Sequence, residues 1–121
     1  IEALSRGAKK AHFVEKDARA FSVLRENIAS LKDENATLHS TDALIYLRTC
    51  EEKFDIVFMD PPYAGKSLYR DSLSLLLNKG LLNEGAVIIL EYEGKVDIDD
   101  SPFFLRRDYT YGMTKIIQLR Y

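Results

Sequence analysis

The run Phe54-Asp55-Ile56-Val57-Phe58-Met59, followed by Asp60-Pro61-Pro62-Tyr63, constrains the fold more than any other part of the chain. A short, almost wholly apolar run reads as a strand covered on both faces, as in a parallel sheet. Two consecutive prolines then end its ladder, because neither has an N–H to donate. The Pro61 carbonyl is left without an obvious partner, beside the Asp60 carboxylate and the Tyr63 ring. Two oxygen acceptors and a flat ring at one strand end suit a planar group that carries an exocyclic NH2.

The rest of the chain supplies alternating partners for such a strand. Residues 11–15 read as a strand ending on Glu15, and Asp17 caps a helix over 18–31 with Ala20, Phe21, Leu24, Ile28 and Leu31 on its apolar face. A strand at 36–40 leads to Thr41 or Asp42 as cap of a helix that holds Leu44, Ile45, Leu47 and Cys50. After the prolines, Ser67 to Asn78 places Tyr69, Leu73, Leu76 and Leu77 on one helical face, leaves Leu68 and Leu75 off it, and closes at Lys79-Gly80. A buried strand at 85–91, an acidic loop from Gly94 to Pro102 and a hairpin around Tyr111-Gly112 complete the chain. In the hairpin Tyr109, Tyr111 and Tyr121 read as packing residues. Strands alternating with helices predict a mostly parallel α/β sheet in a single partial domain, residues 1–121.

The opening Ile1-Glu2-Ala3-Leu4-Ser5-Arg6-Gly7-Ala8 follows helical spacing but has no N-cap and no initiator Met. That suggests a chain cut from something longer.

Composition excludes more than it assigns. With 46% apolar and 30% charged residues the sequence is that of a folded domain, and no run approaches the roughly 20 apolar residues of a membrane span. A net charge of −2 is unlike a dedicated nucleic-acid module, so any RNA contact must use a local patch. The lone Cys50 fits a reducing cytoplasm. No metal is expected: His12 and His39 are far apart in sequence and lack Cys or acidic neighbours at ligand spacing.

In open parallel sheets ligands bind beyond the carboxyl ends of the strands. Glu15, Asp42 and Asp60 all fall at such ends. Glu15 stands where an acid takes a ribose hydroxyl in dinucleotide folds, or else is a solvated acid near a helix N-terminus. Asp42, in Ser40-Thr41-Asp42, is a good helix cap in its own right. Lys66 and Arg70 after the proline loop are candidates for phosphate contact, and Lys9, Lys10, Arg106, Arg107, Lys115 and Arg120 are weaker ones.

Four segments, Ile1–Ala8, Phe13–Asp17, Asp55–Tyr63 and Tyr111–Thr114, together resemble the RsmD family of small-subunit (16S) rRNA guanine-N2 methyltransferases, class I enzymes that use S-adenosylmethionine. The resemblance implies a Rossmann-like class I methyltransferase sheet with a C-terminal antiparallel hairpin. It implies Glu15, Lys16, Asp42, Ala43 and Asp60 as cofactor contacts, and Asp60, Pro61, Pro62 and Tyr63 as the catalytic group. It also implies rRNA or the small ribosomal subunit as partner. In that family a first strand and a glycine-rich loop precede the position of Ile1. Without them the chain is expected to be inactive and to bind the cofactor poorly, and its exposed strands are open to self-association. Rival readings are an adenine-N6 DNA or protein-glutamine methyltransferase and a non-catalytic binding or assembly module.

Overall fold

A computed structural model describes residues 7–31, 34–61 and 66–121, with the side chain of Lys66 excepted. The chain divides into two compact units, residues 1–49 and 50–121.

In the first unit β1 (Ala11–Val14) and β2 (Ala36–His39) pair in parallel, with Val14 opposite His39. They are joined by α1 (Ala18–Leu31), and β2 is followed by α2 (Ala43–Thr49). Both helices start where their caps require. The Asp17 carboxylate accepts from the Ala20 amide at 2.8 Å, and Asp42 accepts from the Leu44 amide at 2.8 Å. Ile28 and Leu47 are buried, but Ala20, Leu31 and Ile45 are exposed, contrary to the expected faces. Periodicity marks an apolar stripe, yet the neighbours at hand decide how much of it is covered.

In the second unit β3 (Phe54–Met59), β4 (Leu82–Glu93), β5 (Leu105–Tyr111) and β6 (Thr114–Arg120) form one sheet in the order β3-β4-β6-β5. The β3–β4 pair is parallel and the remaining pairs are antiparallel. The crossover between β3 and β4 carries α3 (Lys66–Asn78). One face of α3, Tyr69, Leu73 and Leu76, is buried, as are Ile88 and Leu90 of β4 and Ile117 and Leu119 of β6. Burying each such aliphatic side chain is worth about 1.5–3 kcal/mol, so this layer is the main source of stability. Leu68 and Leu75, off the stripe, are half-buried.

The helix ends in a Schellman turn. Gly80, at φ 65°, donates to the Leu77 carbonyl at 3.2 Å, and the Leu81 amide reaches back to Leu76 at 2.9 Å. β4 starts earlier than its apolar run suggests, because Gly85 (φ 81°) makes an irregularity that lets the strand continue back to Leu82.

β3 is not covered on both faces. It is an edge strand of its sheet, with Ile56 53% and Phe58 63% exposed, while its Val57 and Met59 lie on the face of Ile88 and Leu90. An unbroken apolar run gives composition and not position in the sheet, so edge and centre look alike in sequence. Tyr111 also departs from its expected packing role: it is 63% exposed beside the hairpin turn, whereas Tyr121 meets Phe103 edge-on at 6.2 Å.

Candidate functional site

Each unit carries acids at the carboxyl ends of its parallel strands. In the first unit the Glu15 amide still donates to the His39 carbonyl at 3.0 Å, so Glu15 stands one residue beyond the paired strand. Its Oε1 accepts from the Asp17 amide at 3.0 Å, which fixes the side chain at the start of α1. Lys16 is exposed and Ala43 is the first residue of α2, directly after the capping Asp42. Because β1 and β2 run the same way, Glu15 and Asp42 fall at the same end of their sheet. A pair of carboxylates beyond two parallel strands suits the hydroxyls and amine of a nucleoside.

In the second unit Asp60 follows the last residue of β3 and is exposed, not turned into the core, and Pro61 is half-buried. Pro62, Tyr63 and the Lys66 side chain lie outside the described residues. The Tyr69 hydroxyl donates to the Glu91 carbonyl, tying the first turns of α3 to the end of β4. Burial first, and then the nearby charges of Asp60 and Glu91, push the Tyr69 phenol up to about 12, so it keeps its proton as a donor at neutral pH.

The basic candidates separate. Arg106 is held by Asp108 at 2.9 Å and Asp100 at 3.1 Å, which raise its pKa, Asp108 foremost, so its charge is already answered. Lys115 Nζ donates to the Gly94 carbonyl at 3.0 Å. Arg107, Arg120, Lys9 and Lys10 are exposed. Arg70 lines an open cleft of about 510 Å3 together with Ser67, Lys95, Val96 and Asp97. Lys95 and Asp97 did not stand out in the sequence, where they are part of an acidic loop.

One cluster escapes sequence reasoning altogether. His12 Nδ1 and His39 Nε2 share a hydrogen bond of 3.0 Å with stacked rings, and Tyr46 lies 4.5 Å from His39. Among the described residues no three metal-ligating side chains gather.

The family profile described as conserved hypothetical protein 95 matches residues 1–120. The Escherichia coli ribosomal RNA small subunit methyltransferase D is 36% identical over 93 residues, 77% of this chain and 46% of that protein. The chain spans about half the length of the curated relatives it matches. A conserved hypothetical protein from Streptococcus pyogenes superposes with a TM-score of 0.86 at 30% identity, covering 98% of this chain and 76% of its own. At 16% identity and a TM-score of 0.75, the S-adenosylhomocysteine-bound Podospora anserina methyltransferase PaMTH1 shares the fold over 97% of this chain and 63% of its own. The fold is thus the α/β fold of class I methyltransferases with an antiparallel hairpin at its C-terminal end, but its described strands form two sheets, and two of their four pairs are antiparallel, where the alternation of elements predicts one mostly parallel sheet. A match along all but the last residue makes the chain a member of the conserved hypothetical protein 95 family, to which the RsmD proteins belong.

Proposed function

We propose that this chain is the catalytic part of an enzyme that moves a methyl group from S-adenosylmethionine to the exocyclic N2 of a guanine in small-subunit rRNA. The observation that carries the reading is Asp60-Pro61 at the exposed carboxyl end of a strand parallel to its neighbour. Support comes from the relatives named as small-subunit rRNA methyltransferases and from the S-adenosylhomocysteine bound by PaMTH1. The substrate places the work in the cytoplasm.

The donor set suits the cofactor. Glu15 accepts from ribose hydroxyls, with Lys16 beside it, and Asp42 with the Ala43 backbone meets the adenine. When bound, S-adenosylmethionine supplies an electrophilic methyl group. The chain's residues then act on the amine. A guanine N2 lone pair is delocalised into the ring, so the amine is a poor nucleophile until it is oriented. Its two N–H groups donate to the Asp60 carboxylate and the Pro61 carbonyl, aiming the nitrogen at the methyl carbon. The same oxygens stabilise the positive charge that develops on nitrogen, and Asp60 is placed to hold the proton released afterwards.

Two measurements test this. In a protein with the first strand and glycine-rich loop restored, Asp60→Ala is expected to lower turnover about 100-fold or more with little change in cofactor affinity, and Glu15→Ala to do the reverse. Unchanged S-adenosylhomocysteine affinity in Glu15→Ala, read by calorimetry, would remove the ribose assignment. Methylation of DNA or of a protein glutamine in preference to rRNA or ribosomal particles would reassign the substrate. If S-adenosylhomocysteine is taken up neither by this chain nor by one with the first strand and glycine-rich loop of its family restored, the protein is a binding module instead.

A further inference from the structure

The loop after β4 and the first turns of α3 enclose a cleft that the reading above does not use. It is an open surface cleft of about 510 Å3, lined by Ser67 and Arg70 on one side and by Lys95, Val96 and Asp97 on the other. Both walls are tethered at the end of β4. Tyr69, between Ser67 and Arg70, donates to the Glu91 carbonyl, and Lys115 donates to the carbonyl of Gly94, the residue before Lys95. The cleft therefore sits at the carboxyl-end side of the sheet, the side on which Asp60 leaves β3.

Its charges are arranged for a mixed ligand. Arg70 meets its sequence neighbour Asp71 at 3.7 Å in an exposed pair, which is worth little and leaves the guanidinium able to serve a phosphate. Lys95 is exposed on the facing wall. This is unlike Arg106, whose two carboxylates answer its charge. Asp97 would repel a bare anion, but it is an acceptor for a hydroxyl next to one. Two cations, a hydroxyl and one carboxylate in a single cleft fit a sugar-phosphate whose sugar bears a free hydroxyl.

We infer that this cleft holds one ribose-phosphate unit of the RNA strand flanking the target base. Arg70, Lys95 and the Ser67 hydroxyl take the phosphate, and Asp97 accepts from the ribose 2′-OH, the group that separates RNA from DNA. The inference rests on the RNA reading proposed above, and it adds the residues that hold the strand and select its sugar.

The test is binding of the protein to a short labelled single-stranded RNA, and to DNA of the same sequence, across a range of salt. Arg70→Ala with Lys95→Ala is expected to weaken RNA binding about tenfold or more and to flatten the salt slope by about 1.4, two contacts at 0.7 each. Lys53→Ala with Arg19→Ala, which removes equal charge at two exposed positions outside the cleft, is the control. Asp97→Ala is expected to narrow the preference for RNA over DNA. S-adenosylhomocysteine binding should be the same in all of them, which checks that the fold is intact. An unchanged slope in the Arg70/Lys95 variant, an equal loss in the control, or an unchanged RNA-to-DNA ratio in Asp97→Ala would overturn the cleft alone. Failure of the unaltered protein to bind RNA would overturn the RNA reading, and the cleft with it.

Discussion

The two units of the chain divide stability and ligand chemistry unequally. In residues 50–121 a helix covers a four-stranded sheet, and Leu76, Ile88, Leu90, Ile117 and Leu119 are almost wholly shielded from water. In residues 1–49 the described sheet has two strands, and the buried apolar side chains among the described residues are Ile28 and Leu47. Yet Glu15 and Asp42, two of the three acids assigned to the cofactor, belong to the thinner unit, and only Asp60 belongs to the larger. Two short strands are a marginal sheet in water unless helices pack against them. Most of the cofactor assignment therefore falls on the part with the smaller hydrophobic reserve.

The sharpest way to break this contrast is to truncate one aliphatic side chain in each unit. Leu90→Ala removes a fully buried side chain and is expected to cost about 2–5 kcal/mol in urea unfolding. Leu24→Ala, at a half-buried position of α1, should cost less than about 1.5 kcal/mol. Equal losses would mean that the first unit's core is as dense as the second's. Bound S-adenosylhomocysteine should recover more of the Leu24→Ala loss than of the Leu90→Ala loss in relative terms, since ligand linkage adds a fixed increment to whatever remains.

Gly80→Ala comes next. The turn that ends α3 holds residue 80 at φ 65°, where a Cβ costs about 1–2 kcal/mol, although no atom lies within reach of that Cβ. The penalty is one of backbone conformation, so Gly80→Asn should restore part of it. An Ala variant as stable as the original would show that the Schellman turn contributes nothing to this unit's stability.

What the sequence made legible, and what it did not, follows the same division between local and distant causes. Asp17, Asp42 and Gly80 act on their own helices, and all three stand at the helix ends that their chemistry predicts. Glu15 and Asp60 were readable as strand-end acids because apolar runs reveal where strands stop. The exposure of Ile56 and Phe58 was not readable, since it depends on which strands flank β3. Nor was the His12–His39 bond, which needs the register that sets Val14 against His39. The cleft depends on the Lys115–Gly94 and Tyr69–Glu91 hydrogen bonds, whose partners stand 21 and 22 positions apart.

A smaller effect separates the two roles open to Asp42. Asp42→Ala removes a cap and is expected to cost about 1 kcal/mol, read by chemical denaturation. Asp42→Asn keeps a capping oxygen, so it should be nearly neutral for stability. If Asp42→Asn nevertheless weakens S-adenosylhomocysteine binding, the carboxylate itself serves the ligand. If both variants bind equally well, residue 42 is a helix cap and the thinner unit loses one of its two acids from the ligand assignment.

The smallest effect is at the seam between helix and sheet in the larger unit. Tyr69→Phe removes one hydrogen bond, worth about 1 kcal/mol at neutral pH, and leaves the buried ring in place. Its pH dependence is the more telling part. The phenol ionises near 10 in the unfolded chain and near 12 in the folded one. Above pH 10 the unfolded state releases its proton first, so the contribution is complete below 10 and is lost as pH rises through 12. The gap in stability between the original protein and Tyr69→Phe should therefore shrink across that window, beyond what the other tyrosines do in both. Parallel losses would mean that Tyr69 ionises as freely in the folded protein as out of it. The wall it anchors would then lack the protonated donor that fixes α3 against β4.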